Sequence, residues 1–394
     1  MPFLTEDCLN GKKFPIKEYY KLPSTVIYCK ECVISNQRPR IKFDENNVCS
    51  ACNHAKKKKK IINWAEREKE LNDLLDKHRR KDGYWDVVVP CSGGKDSAYV
   101  AHMLKNKYNM NPLTVTWAPM LYTDVGIKNL KNMIDSGLDN IKATPNGKTH
   151  RLLTKLSLEI MGDVFQPFIY GQKSFPMNIA VNYKIPLIMY GEQGEVEYGG
   201  DNKNENSPTH NSTDDLVNHF FSGFDLDYFE RFGLQKNKLN YYYSPSIEKI
   251  KDIGIENHYF GYYKKWVPQN NYYYVVENCD FEPEPKGRSE GTYSKYASID
   301  DKLDGYHYYF ALLKFGHGRA TSDAAHEIRD GHITREEAIA LVKKYDHELP
   351  IRHFKEFLDY VDLTENEFYQ VCERFRAEHI WEKKGNDFKK IVNL

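Results

Sequence analysis

Hydrophobic and polar positions alternate along the chain with two periods. Short apolar, β-branched runs at residues 86–90, 112–117, 140–143 and 185–190 have the length and composition of buried strands. Between them, residues 98–104, 124–136, 149–162 and 176–183 space their apolar side chains as helices do. Strands alternating with helices predict an α/β fold with a doubly wound parallel sheet. Residues 64–71 alternate charge sign, as an exposed helix does. From Leu216 onward the pattern changes to aromatic-rich helices, including residues 306–313. Thr334-Arg335-Glu336-Glu337 has the form of a capping box. Residues 202–215 are polar and read as a mobile loop.

The chain of 394 residues is too long for one ordinary core. Three parts are expected: 1–75, with paired cysteines; 76–205, the sheet domain; and 206–394, an α-rich substrate or partner domain. The 56 basic and 56 acidic residues cancel, so no global charge points to nucleic acid or a membrane surface. No apolar run approaches the roughly 20 residues of a membrane helix. Residues 1–7 lack the basic-then-apolar plan of a signal peptide. The expected location is the cytoplasm. The 29 tyrosines are unusually many. Those crowded into residues 259–276 are more commonly core packing than a stacking platform for bases or sugars.

Four of the eight cysteines form two C-x-x-C pairs, Cys29/Cys32 and Cys49/Cys52, sixteen residues apart. Each pair can grip one side of a tetrahedral zinc through two thiolates. Four protein ligands leave no position for a catalytic water, so the expected role is structural. A redox pair would sit near a βαβ start, and two matched pairs fit that poorly. His54, beside the second pair, reads as a surface histidine. Lys56 to Lys60 reads as a solvated helix start; contact with an anionic partner is the alternative.

The first candidate for catalytic chemistry follows the first strand: Ser92-Gly93-Gly94-Lys95-Asp96-Ser97. Glycines allow a sharp turn and close approach to a ligand. The N–H groups and positive dipole end of the following helix make an anion site. Ser92 and Ser97 add hydroxyls, and Lys95 adds charge. The spacing differs from the Walker loop. It resembles the SGGxDS signature of the PP-loop ATP pyrophosphatases. That resemblance implies ATP cleaved between the α and β phosphates, pyrophosphate held by the loop, and Asp96 as a magnesium ligand or loop-ordering residue. Cys91 stands next to the loop, but such chemistry needs no thiolate, so it is read as structural.

Ligands of parallel sheets lie at the C-terminal ends of strands. The backbone of Thr116 and Trp117 is therefore a candidate for holding adenine, and Gly191 for lining the nucleotide site. The loop after the last strand, residues 191–200, carries Glu192, Glu195 and Glu197. These are candidates for Mg²⁺ or for positioning ammonia. Arg288, in a turn-rich segment, and Lys314, His317 and Arg319, around two glycines, are weaker candidates for contacts to anionic groups.

Together, the four cysteines, the Ser92–Ser97 loop, the Gly-Glu-x-x-x-Glu-x-Tyr-Gly-Gly loop and Lys-Phe-Gly-His-Gly-Arg resemble the bacterial N-acetyl sugar amidotransferases of the WbpG/PseA type. The likeness runs from about Cys29 to about Asp346. It implies conversion of an acetamido group on a surface-glycan sugar to an acetamidino group, in lipopolysaccharide O-antigen, pseudaminic or legionaminic acid, or flagellin glycosylation pathways. ATP, Mg²⁺ and a structural Zn²⁺ are the implied cofactors. Lys95, Asp96, Glu192 and Lys314 are the expected catalytic residues. Asp96, Glu192 and Glu195 are the expected Mg²⁺ ligands. The resemblance also implies a HisH-like glutaminase and a HisF-like subunit as partners; separately, none of Cys8, Cys279 and Cys372 sits in an evident Cys-His setting, so the chain alone is expected not to use glutamine. The alternatives are a PP-loop tRNA-modifying enzyme, of thiolase or lysidine type, and a non-catalytic zinc-ribbon module.

Overall fold

A computed structural model describes residues 11–201, 205–209, 223–385 and 387–394. The N-terminal stretch with Cys8 and most of the polar 202–215 loop lie outside the described residues. Five strands, β1 (Val87–Pro90), β2 (Pro112–Trp117), β3 (Asp139–Ala143), β4 (Leu187–Tyr190) and β5 (Glu256–Tyr259), form one parallel sheet. Their order is β3-β2-β1-β4-β5, with Val88 opposite both Leu113 and Ile188.

The inner strands β1, β2 and β4 are buried on both faces, which is why they read as continuous apolar runs, whereas the edge strands β3 and β5 are partly exposed and more polar. Alternate side chains serve opposite cores. Val88 and Ile188 join one, with Leu153, Phe175 and the C-terminal Phe310, Phe357 and Phe375. Val87, Val89, Leu187 and Met189 join the other, with Ala101, Leu104, Tyr272 and Val275. Tyrosines are part of this packing: Tyr170 and Tyr306 are fully buried, and Tyr306 stacks on Phe357 with centroids 3.8 Å apart.

Six helices position the site: α1 (Ser50–Lys60), α2 (Lys95–Asn106), α3 (Gln166–Tyr183), α4 (Gly194–Tyr198), α5 (Asp304–Phe315) and α6 (Arg319–Asp330). α3 crosses so close to β2 that a Cβ on Gly171 would lie 1.9 Å from the Trp117 ring. Only glycine admits that indole.

Three features depart from the division expected of the sequence. β5 brings residues beyond 205 into the sheet. The cysteine segment does not stand apart, because Cys29, Cys32, Cys49 and Cys52 share an apolar cluster with Ala324, Ala325, Ala338 and Val342. Arg335 also donates from Nε to the Cys32 carbonyl (3.2 Å) and from Nη2 to the Cys29 carbonyl (3.3 Å). The C-terminal part adds an antiparallel ribbon, Trp381–Lys384 with Asp387–Lys390, to its helices. The capping box at Thr334 and Glu337 forms as expected. Among the described residues, no helix is long and apolar enough to cross a membrane.

Candidate active site

The order of strands reverses between β1 and β4, and a cleft of about 640 Å³ opens beyond their C-terminal ends, lined by Pro90 and Tyr190. This is the switch point at which open parallel sheets leave room for ligands. The loop after β1 enters it. Gly93 has φ +89°, and a Cβ there would lie 2.6 Å from the Leu130 backbone. Gly94 caps α2 and donates its N–H to Ser92 Oγ at 3.3 Å, while Ser97 Oγ donates to the Gly94 carbonyl at 3.1 Å. The start of α2 thus presents its N–H groups and dipole to the cleft. Lys95 pairs with Asp96 and stands over the Tyr296 ring at 5.1 Å. Asn271 Nδ2 donates to the other Asp96 oxygen at 2.9 Å. Cys91 is buried, and burial pushes its thiol up to about 12, which suits its structural reading.

Across the loop stands Glu192, at the end of β4. Burial and the nearby charge of Asp96 push it up to about 7, against the pull of Lys95 and Lys173. Burial lowers Lys173, on α3, to about 8, with Glu192 acting the other way. Near neutral pH this pair can hold or release a proton, which is what general acid–base chemistry needs.

The remaining wall is C-terminal. Tyr296, Asp300, Asp304, His307, Tyr308 and Arg319 all line the cleft. Asp163 lies 2.8 Å from His307 Nδ1. Burial alone would lower His307, but this ion pair outweighs it and holds the imidazole above its usual value. Burial and Asp304 raise Asp300, against a hydrogen bond from Ser92. Arg319 donates to Asp323 (3.0 Å) and Tyr308 OH (2.6 Å).

The four cysteine sulfurs lie within 4.8 Å of one another, all buried. The Cys29–Cys52 and Cys32–Cys49 separations are 3.9 and 3.7 Å. A tetrahedral ion at about 2.3 Å from each thiolate sets sulfurs about 3.8 Å apart, so the donor set fits one ion. Backbone N–H groups of Glu31 and Cys49 point at Cys29 Sγ, at 3.4 and 3.3 Å.

Ser92, Gly94, Lys95, Asp96, Ser97, Gly191, Glu192 and Glu195 therefore come together around one cleft. Others do not. Trp117 packs its ring against Tyr242 in the core, 5.0 Å between centroids. Neither it nor Thr116, fully buried in the sheet, lines the cleft. Lys314 does not line the cleft: it is buried, with Nζ 3.2 Å from the Met161 carbonyl. His317 is buried, and desolvation takes it down to about 3. Arg288 is taken up by Glu348 at 2.6 and 2.9 Å. The three glutamates of the 191–200 loop do not converge. Glu195 accepts two hydrogen bonds from Arg40 (3.1 and 2.7 Å). Glu197 is buried against Lys58 Nζ at 2.7 and 2.8 Å. Among the described residues, the four cysteines are the only group of three or more acidic, histidine or cysteine side chains close enough to share an ion. Lys58 is thus not solvated as the lysine run suggests, and His54 is buried beside Glu197 and Glu205 rather than on the surface.

Sequence reading missed Arg38, Lys173 and His307. A signal existed for one: Lys173 is the single charge in the otherwise apolar and neutral α3.

Residues 290–393, which carry the C-terminal wall, match a family model described as LPS biosynthesis protein WbpG-like, C-terminal domain. An uncharacterized protein of Methanocaldococcus jannaschii is 31% identical over 86 residues, covering 17% of this chain and 31% of that protein. The chain thus spans about a third of that relative's length. A U34-tRNA thiolase of Methanococcus maripaludis, NcsA, solved with its [4Fe-4S] cluster, aligns over 91% of this chain and 100% of that one. It does so at 13% identity and a TM-score of 0.28, too low for a shared topology to be inferred.

Proposed function

We propose that this chain is an ATP-dependent amidotransferase that converts the acetamido group of a bacterial surface-glycan sugar to an acetamidino group. The observation that carries this reading is the Ser92–Ser97 loop opening onto a cleft whose facing wall lies within the region matching the WbpG-like model. An amide carbon is a poor electrophile and its oxygen a poor leaving group. In the proposed reaction the amide oxygen attacks the α-phosphorus of ATP, and pyrophosphate leaves. Ammonia then adds to the carbon, a proton leaves the new nitrogen, and the C–O bond breaks to release AMP. The N-terminus of α2 and Lys95 stabilise charge on the departing pyrophosphate. The Glu192–Lys173 pair is placed to accept the proton.

Magnesium would arrive with ATP, and Asp96 and Glu192, both lining the cleft, are the carboxylates proposed to hold it. Zinc is the ion we assign to the four cysteines, in a structural role. A HisH-like glutaminase with a HisF-like subunit would supply ammonia, docking near residues 191–200. The proposed setting is the cytoplasm, in lipopolysaccharide O-antigen or pseudaminic or legionaminic acid biosynthesis, the latter serving flagellin glycosylation. Mass spectrometry of acetamido sugars after incubation with ATP and ammonium chloride tests the reaction. The expected product shows the small mass loss of O replaced by NH. A parallel incubation with tRNA in place of the sugar, yielding modified tRNA, would overturn the assignment.

A further inference from the structure

The turn between the cysteine pairs reaches into the cleft through Arg38. Its backbone is fixed by hydrogen bonds from the Arg38 N–H to the Ser35 carbonyl (3.4 Å) and from the Ile41 N–H to the Arg38 carbonyl (3.2 Å). The next arginine, Arg40, ties the same turn to Glu195 across the cleft mouth. Arg38 itself has no ion pair among the described residues, and its Nε is buried without a hydrogen-bond partner. The comparison with Arg319 is direct, since that guanidinium, in the same cleft, is answered by Asp323 and Tyr308.

A guanidinium stays charged at any physiological pH and presents five donors in a planar fork. Burying Nε without a partner costs hydration, and an anion in the cleft would offset that cost. Arg38 enters the cleft from the cysteine turn, beside Arg40 and Glu195, whereas the Ser92–Ser97 loop enters it from the end of β1.

We infer that Arg38, carried into the cleft by the cysteine knuckle, binds an anionic group of the acceptor substrate and sets preference for acidic over neutral acceptors. The inference rests on the reading of the cleft as the site where ATP and an acetamido sugar meet. The anion is a phosphate or a carboxylate, either of which a guanidinium fork grips through two oxygens.

Calorimetric titration tests this with three named probes: UDP-N-acetylglucosamine for a diphosphate, N-acetylneuraminic acid for a carboxylate, and N-acetylglucosamine as the neutral sugar. The full chain should bind one of the two acidic probes at least about tenfold more tightly than the neutral one, and the preferred probe identifies the anion. Arg38→Ala should remove that preference, Arg38→Lys should restore part of it, and ATP affinity and metal content should stay unchanged in both. Equal affinity for acidic and neutral probes, an unaltered preference in Arg38→Ala, or an equal loss of ATP affinity would overturn it. The two readings fail separately. Amidine formation with an unaltered preference in Arg38→Ala removes this subsite alone. Loss of anion binding in Arg38→Ala, with no AMP formed from any acetamido sugar, removes the reaction and leaves the subsite.

Discussion

One wall of the cleft comes from a single short run, Ser92 to Ser97, held by a strand end and a helix start. The other is assembled from Arg38 in the cysteine knuckle, Lys173 on α3, and His307 and Arg319 on α5 and α6. The first wall works mainly through backbone N–H groups and a local turn, so its chemistry is set by neighbours in sequence. The second works through side chains whose charges are tuned by distant partners, such as Asp163 for His307. A contiguous wall should fail locally, with loss of chemistry and little loss of fold. An assembled wall should fail through its supports.

The largest effect expected is on the contiguous wall. Asp96→Ala removes the partner of both Lys95 and Asn271. Gly93→Val forces a side chain into the left-handed region and against Leu130. Each should cut AMP release by about 10²–10³-fold or more, the scale of losing a preorganised electrostatic group. Metal content should be intact. Wild-type rates in both variants would remove this loop from the chemistry.

Next comes the support that binds the knuckle's helix to the loop after β4. Lys58 and Glu197 are each about 6% exposed and paired at 2.7 Å. Lys58→Met takes from buried Glu197 its closest partner and leaves it only the imidazoles of His54 and His326, and should cost about 3–5 kcal/mol in unfolding free energy. Lys58→Met with Glu197→Leu should regain most of it, because the double change removes both charges. If the single change alone is neutral in denaturant titration, the buried pair is not what holds these segments together.

A smaller effect probes the cleft between the walls. Glu192 is raised to about 7 in the fold from 4.5. An unfolded chain ionises this group more readily than the folded one does. Its presence therefore costs nothing well below pH 4.5, and costs progressively more stability as pH rises to about 7, where the penalty levels off. Glu192→Gln should match wild type in melting temperature at pH 4 and exceed it by a few degrees at pH 8. A constant difference across that range would mean that the environment of Glu192 does not disfavour its charge. The smallest change expected is at Thr334→Ala, which loses the cap of the helix Arg335–Tyr345 beside the knuckle, at about 1 kcal/mol.

The same contrast explains what could be read in advance. The four expected strands, the helices that flank them, the clustering of the cysteine pairs and the tight Ser92–Ser97 turn each depend on residues a few positions apart and are present; β5, with no apolar run, was not foreseen. Lys314 shares a short segment with Arg319, yet only Arg319 lines the cleft, while Lys314 is buried against the Met161 carbonyl. The glutamates of the 191–200 loop looked like one metal site. Arg40 and Lys58, each more than a hundred residues away in sequence, draw two of them apart. Arg38 carried no local signal at all, since only the fold brings it into the cleft and leaves it without an ion pair among the described residues.

The central claim is that this cleft splits ATP between the α and β phosphates to activate an amide oxygen. Phosphorus-31 NMR of the full chain with ATP, magnesium, ammonium chloride and a panel of acetamido sugars and sugar nucleotides tests it most directly. The account predicts AMP and pyrophosphate in equal amounts, formed only when an acceptor sugar is present. ADP and inorganic phosphate as the products would contradict it.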